Sequence, residues 1–479
     1  MIDFNLIPVL PEMFLAMAAM GLLVVGVAHG NSSTNVISWA CVSALVIAAC
    51  LLFGMSWERQ VVLNGMFVFD NFAGYMKLLV ILGLITALAI SGRYLEILRM
   101  NRFEYPVLIV LAGIGMMLMI SSNNLLSLYM GLELQSLSLY VLAAFNRNSL
   151  RAAEAGIKYF ILGALSSGML LFGTSLIYGY TGSIDYGVIG ATLSGLTALP
   201  FGVIFGLVFI LAGLAFKVSA VPFHMWTPDV YQGAPTSVTA LFAIVPKVAA
   251  IALLMRLLFE PFAAAQGQWV QIVYFLSLAS MVVGAFGAIA QTNLKRLFAY
   301  SSIGNMGYAL IGIVAGTPEG AGAVILYMLI YMVMTAGVFA IIIGMRHDGI
   351  RANHISDLSG ISATNPVLAY AMAIFMFSMS GIPPLAGFFG KLFIFQAAVA
   401  EQYYILATLG ILTSVVAAFY YLKIVKVMFF DESVEPFEKD IPFARRVVLF
   451  VAVVFLLAFI FRPEAIVGSA QSAAASLFI

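Results

Sequence analysis

Residues 201–229 read FGVIFGLVFILAGLAFKVSAVPFHMWTPD. An apolar run as long as a membrane crossing closes on Lys217, and Pro222 follows five residues later. A crossing needs about 20 mostly apolar residues. A charge at its centre costs roughly 2.5–3.5 kcal/mol even on the lenient insertion scale. Pro222 lacks the amide that would bond the carbonyl of Val218, so the helix is expected to break beside the ammonium. Freed backbone groups at that depth are tolerated only where they meet protein or water.

The rest of the 479 residues carry the same character: 63% are hydrophobic and 9% charged. A soluble chain carries about 25% charged residues, so this composition cannot clothe a water-exposed surface. The fold class is an all-α polytopic membrane protein. A net charge of +1 argues against nucleic acid as a partner. Cys41 and Cys50 share one apolar segment and imply neither a disulfide framework nor a metal site. The first 28 residues lack the basic start of a signal peptide and read as a retained first span.

Fourteen spans are predicted, near 9–29, 37–54, 72–91, 106–121, 124–145, 156–180, 201–224, 236–259, 269–290, 297–315, 321–345, 366–400, 403–428 and 446–461. The short loops after odd spans collect Arg93, Arg99, Arg102, Arg147, Arg151, Lys295, Arg296, Arg346, Arg351, Lys439, Arg445 and Arg446. The other side collects only Arg59, Arg256 and Arg462. Basic loops stay cytoplasmic, which puts both termini on the far, periplasmic side. Span 7 holds Pro222, and span 12 holds Pro383 and Pro384 after Gly381. Each is the fourth member of a five-span block. Three leading spans (1–105) precede a first block (106–260), a second block (269–428), and a last span with its tail (446–479). Five is odd, so tandem blocks emerge in opposite topologies. This is the inverted-repeat pattern, with discontinuous helices 7 and 12 marking the functional centre.

Glu133, Lys158, Lys217, Lys247 and Lys391 fall inside predicted spans. Lysine has a free pKa near 10.4 that burial lowers by up to 3–5 units, so a buried lysine can exchange protons near neutral pH; arginine cannot. A carboxylate whose distance from a lysine changes would act as a proton switch. Lys158 lies near a span end, where lysine also snorkels to the interface. His224, two residues past Pro222, can relay protons or serve structure. The Met and Phe residues read as packing. No phosphate-binding Gly-rich loop, cysteine cluster or paired histidines are seen. His29, His224, His347 and His354 are dispersed, so the chain is expected to bind no cofactor and no metal.

The stretches LYMGLELQSLSLYVLAAF, EAGIKYFILGALSSGMLLFG, GLAFKVSAVPFHMWTPDVYQGAPTSVTA and FSMSGIPPLAGFFGKLFIF resemble the subunit N family of bacterial NADH-quinone oxidoreductase, respiratory complex I. This family is the counterpart of mitochondrial subunit 2. LKRLFAYSSIGNMGY is shared more widely with antiporter-like subunits. The absence of a long lateral helix sets the chain apart from subunit L. The resemblance implies a proton-translocating membrane-arm subunit of the bacterial inner membrane. It also implies two inverted five-helix repeats. By motif, Glu133 matches the acidic partner of the span-7 lysine Lys217. Lys247 matches the span-8 lysine, Lys391 the span-12 lysine and Lys158 the span-6 lysine. Implied partners are other membrane-arm subunits, including a second antiporter-like subunit and small membrane subunits, together with lipids. NADH, FMN, iron–sulfur clusters and quinone are implied in other subunits. A subunit of a multisubunit sodium/proton antiporter is the alternative, and a passive membrane spacer a third reading.

Overall fold

A computed structural model describes residues 5–347, 350–433, 437 and 441–478. Lys439 and the side chains of His347 and Arg351 lie outside the described residues. The first helices are α1 (Leu10–His29), α2 (Thr34–Phe53), α3 (Asn71–Ile97), α4 (Glu104–Ile120), α5 (Leu125–Ala143), α6 (Leu150–Thr181), α7 (Tyr186–Ser194), α8 (Phe201–Val218), α9 (Trp226–Gly233), α10 (Thr236–Ile244) and α11 (Pro246–Phe259). Next come α12 (Gln266–Ile289), α13 (Leu294–Ala315), α14 (Pro318–Ile342), α15 (Ile361–Thr364), α16 (Pro366–Ser380), α17 (Ala386–Ala400), α18 (Tyr404–Phe430), α19 (Phe443–Ala458) and α20 (Pro463–Ala475). Two antiparallel hairpins complete it: β1 (Gln60–Val62) with β2 (Phe67–Phe69), and β3 (Arg346–His347) with β4 (Ile350–Arg351).

Among the described residues, eleven helical segments are long and apolar enough to cross a membrane, and α4, α16 and α17 are shorter apolar helices. Burial orders them. The apolar windows of 236–259, 294–315 and 318–342 are 100%, 94% and 89% buried, whereas those of 7–53 and 443–461 are 33% and 28% buried. So α10, α11, α13 and α14 form the centre, and α1, α2 and α19 form the rim. The rim exposes Val24, Val27, Trp39 and Phe450, a surface suited to hydrocarbon rather than water.

Three neighbouring pairs approach closely through glycine. A methyl group on Gly115 of α4 would lie 2.7 Å from the carbonyl oxygen of Gly131 on α5. One on Gly173 of α6 would lie 2.5 Å from that of Gly206 on α8, and Gly284 of α12 meets the backbone of Gly304 on α13. Helices in hydrocarbon gain contact this way, because no hydrophobic effect draws them together.

The break after Lys217 forms as expected: α8 ends on Ser219, which is left-handed at φ 63°. The second break follows α16 on Gly381 at φ 85°, where glycine relieves the strain. Both breaks contain a cis bond, Val221–Pro222 and Pro383–Pro384. Pro246 interrupts the ladder only locally, between α10 and α11. One expectation changes. Arg256 is not a loop residue but lies inside α11, fully buried. The tail after span 14 is helical: α20 packs back on the start of α3, where Ser476 Oγ accepts from the Phe72 amide at 3.0 Å and Asn71 donates to Ser472 at 2.8 Å.

Candidate proton-transfer site

The two broken helices leave carbonyl ends inside the bundle, and lysines meet both. Lys247, on α11, donates to the Val218 carbonyl at 3.0 Å and to Ser219 Oγ at 2.5 Å. The acceptor freed by Pro222 is therefore taken by the next span's lysine. Thr227 donates to the same Ser219 hydroxyl at 2.7 Å, and Trp226 Nε1 takes the Phe216 carbonyl at 3.0 Å. At the second break Lys391, on α17, donates to the carbonyls of Met379 and Ser380 at 3.0 and 3.3 Å and to Ser414 Oγ at 2.8 Å. A helix's carbonyl end carries about half a negative charge, so both ammonium groups sit where a cation is favoured.

Lys217 is aimed elsewhere. Its Nζ donates to Ser136 Oγ at 2.8 Å and to the Tyr140 hydroxyl at 3.4 Å, both on α5. Glu133 precedes these by three and seven residues and so shares their helix face. No ion pair joins Glu133 to Lys217 among the described residues; Glu133 is half-buried, and its enclosed Oε1 has no hydrogen-bond partner. Lys217, Lys247 and Lys391 are 7%, 1% and 7% exposed.

Lys158 stands apart from this line. Its side chain is 41% exposed and pairs with Glu154 and Asp229 at 2.7 Å each, and Asp229 also binds Arg296 at 2.7 Å. Lys158 therefore belongs to a partly open polar cleft of about 210 Å³ bordered by Arg151, Glu154, Asp229 and Gln232. His224 lies in the break between α8 and α9, half-buried, with Nδ1 enclosed and unbonded among the described residues.

Neutral polar groups fill the space beside Lys391. Tyr327 donates to Asn305 Oδ1 at 2.7 Å; Asn305 Nδ2 donates to the Ser301 carbonyl at 2.8 Å; and the hydroxyls of Ser301 and Tyr421 meet at 2.6 Å. A cavity of about 10 Å³ touches Ser301, Asn305, Tyr308, Lys391 and Tyr421, close to the room one water needs.

Several of the groups in these contacts were not visible in the sequence. Ser136, Ser219 and Ser414 look like any small residues of apolar helices. Buried Lys77 and Glu12 form an ion pair at 2.6 Å. Arg256 grips Asp70 bidentately at 2.8 and 2.9 Å, Glu260 at 2.6 Å and the Ile120 carbonyl at 2.9 Å. Lys295, read as a loop residue, is buried and donates to the Ala234 carbonyl at 2.8 Å. Among the described residues, no three His, Cys, Asp or Glu side chains converge as metal ligands.

Residues 122–417 match the family model described as NADH:quinone oxidoreductase/Mrp antiporter, TM. NADH-quinone oxidoreductase subunit N of Parvibaculum lavamentivorans is 52% identical over 98% of this chain and 97% of its own. The chain belongs to the subunit N family of NADH-quinone oxidoreductase. Subunit N of Rhodospirillum rubrum is 49% identical over 98% of this chain and 97% of its own. A chain of respiratory complex I from Thermus thermophilus superposes with a TM-score of 0.82 at 32% identity, covering 96% of this chain and 99% of that one. A chain of the Mrp complex from Dietzia sp. DQ12-45-1b reaches 0.86 at 23% identity, covering 99% and 98%, a likeness of fold alone. All the lysines at the two breaks lie within the part matched by the family model.

Proposed function

We propose that this chain translocates protons as an antiporter-like membrane-arm subunit of the NADH-quinone oxidoreductase complex, driven by electron transfer from NADH to quinone in other subunits. One observation carries the reading: three buried lysines cluster at two helix breaks, bound by hydroxyls and carbonyls rather than by carboxylates. A lysine locked in an ion pair holds its proton; one bound by neutral dipoles can release it. Glu133 stands one helical turn from Lys217's partner Ser136, so a small displacement of α5 or a nearby charge changes its pull on Lys217. Lys247 holds the carbonyl of the residue after Lys217, which couples the two directly. Protons load at Lys217 and Lys247, with His224 as a candidate relay and the Lys158 cleft as a candidate entry, and leave by way of Lys391.

The full architecture is fourteen crossings. The helices of residues 7–53 count as two, α4 counts as one, and α16 with α17 counts as one discontinuous crossing. Three leading helices (1–105) precede inverted blocks 106–260 and 269–428, and 446–479 closes the chain. Two correspondences support the repeat. The fourth member of each block breaks on a left-handed residue, Ser219 or Gly381. The first two members of each block meet glycine to glycine, at Gly115–Gly131 and Gly284–Gly304. The chain sits in the bacterial inner membrane with both termini periplasmic, against a second antiporter-like subunit, small membrane subunits and lipid. NADH, FMN, iron–sulfur clusters and quinone belong to other subunits.

The test replaces Lys217, Lys247 or Lys391 by Met in the assembled complex and follows proton uptake into vesicles alongside NADH oxidation. Each substitution is expected to lower the protons moved per NADH. Undiminished pumping by all three would sink the reading.

A further inference from the structure

Each lysine at the breaks has one serine hydroxyl among its partners: Ser136 for Lys217 at 2.8 Å, Ser219 for Lys247 at 2.5 Å, and Ser414 for Lys391 at 2.8 Å. These serines come from three different helices or turns, so no local repeat explains the match. The lysines in ion pairs among the described residues are bound differently: Lys77 faces the Glu12 carboxylate, Lys158 faces Glu154 and Asp229, and Lys426 faces Asp431. Carboxylates and carbonyls only accept. A hydroxyl both accepts and donates, and its hydrogen rotates freely between the two roles.

We infer that Ser136, Ser219 and Ser414 are positioning residues that let their lysines lose and regain a proton without moving. With the lysine charged, N–H donates to the serine oxygen. Once one proton leaves, the amine keeps two N–H groups and gains a lone pair. The hydroxyl then turns, and its O–H donates to that lone pair. At Lys391 the balance closes: two N–H groups keep the carbonyls of Met379 and Ser380, and the lone pair accepts from Ser414. At Lys247 one N–H keeps Val218, and Ser219 turns while still accepting from Thr227. At Lys217, Tyr140 is a second hydroxyl able to do the same. Among the described residues, the titratable groups beside Lys391 are phenols: Tyr308 of α13, whose ring centre lies 4.9 Å from its Nζ, and Tyr420 and Tyr421 of α18, which line the same small cavity. Beside Lys217 stand Tyr140 and, two turns before it on α5, Glu133, with the ring of Tyr159 of α6 edge-on to Tyr140. Beside Lys247 the ring of Trp226 adds no titratable group.

This rests on the proposed proton path, and the test separates the two. Ser414→Ala and Ser136→Ala are compared with Thr at the same sites in the assembled complex, measuring the rate of proton pumping by NADH oxidation across pH; Ser219→Ala is measured alongside without a Thr partner, because a β-branched residue is strained in that left-handed turn. The Ala variants at 219 and 414 are expected to pump about tenfold more slowly, the scale of one lost hydrogen bond to a charged group. The Ser136 variant loses less, because Tyr140 substitutes. Thr at 414 and 136, which keeps the hydroxyl, restores the rate and the pH profile. Ala variants that pump normally, or Thr variants no better than Ala, overturn the inference even where Lys→Met abolishes pumping. Lys→Met variants that pump normally instead remove the path beneath it. Should Ala at 414 or 136 block assembly, the Ala/Thr pair at the other of these two sites carries the test.

Discussion

Asn305 uses both ends of its amide. Its oxygen takes the Tyr327 hydroxyl, and its nitrogen holds the Ser301 carbonyl and lies 3.4 Å from the Tyr421 hydroxyl. All four groups are buried. Leucine has the same number of side-chain heavy atoms and a similar branched shape but no polar atoms, so Asn305→Leu removes the acceptor of the Tyr327 hydroxyl. The cost is about 1–3 kcal/mol. A lower unfolding temperature of the purified complex in detergent is expected, with Tyr327→Phe in the same background recovering part of it. The lysines could be found from the sequence because a charge in an apolar run is conspicuous. Asn305 and the three serines could not. Small polar residues are ordinary in membrane helices, and what singles out Ser136 is a lysine 81 residues away.

At the scale of elements, Arg256 is the strongest tie. It joins the ends of α3, α4 and α11 through Asp70, the Ile120 carbonyl and Glu260, and Asp70 also caps α3 by accepting from the Ala73 amide at 2.7 Å. Removing one member of a buried pair leaves an uncompensated charge, whereas removing both leaves none. Arg256→Met is therefore expected to destabilise by about 3–5 kcal/mol, and Arg256→Met with Asp70→Asn by clearly less. Thermal unfolding of the four corners of this cycle measures the difference. Sequence placed Arg256 outside the membrane because it lies near the end of its span. Hydropathy marks where a span ends within several residues and says nothing of which way a side chain turns. For the same reason the long spans and both breaks were legible, from run length and from proline, while α7, α20 and the two hairpins were not. These are short, and their sequences hold no sustained apolar run.

On the scale of the whole molecule, α20 packs onto the beginning of α3, where Asn71 stands 401 residues before Ser472. Ser472 and Ser476 satisfy Asn71 and the Phe72 amide there. Gln471 also lies against Gly322 of α14, so one short helix touches both the leading helices and the centre. Deleting residues 463–478 is expected to loosen α3 and lower the yield of assembled complex, with faster hydrogen exchange over 71–76 as the local readout. Restoring the segment with Ser472 and Ser476 both changed to Ala should recover assembly only in part.

The two carbonyl ends differ in how far along the chain their lysines lie. Lys391 is 12 residues beyond Met379, on α17, the helix that directly follows the break. Lys247 is 29 residues beyond Val218, on the crossing that follows. The end of α8 therefore receives this lysine only when α11 packs beside it, whereas the end of α16 receives its lysine from the helix that directly follows the break. A chain truncated after residue 235 is expected to leave the Val218 carbonyl without its cation, while one truncated after residue 400 keeps Lys391. The first break thus relies on a distant helix for its charge balance, a dependence that the second does not share.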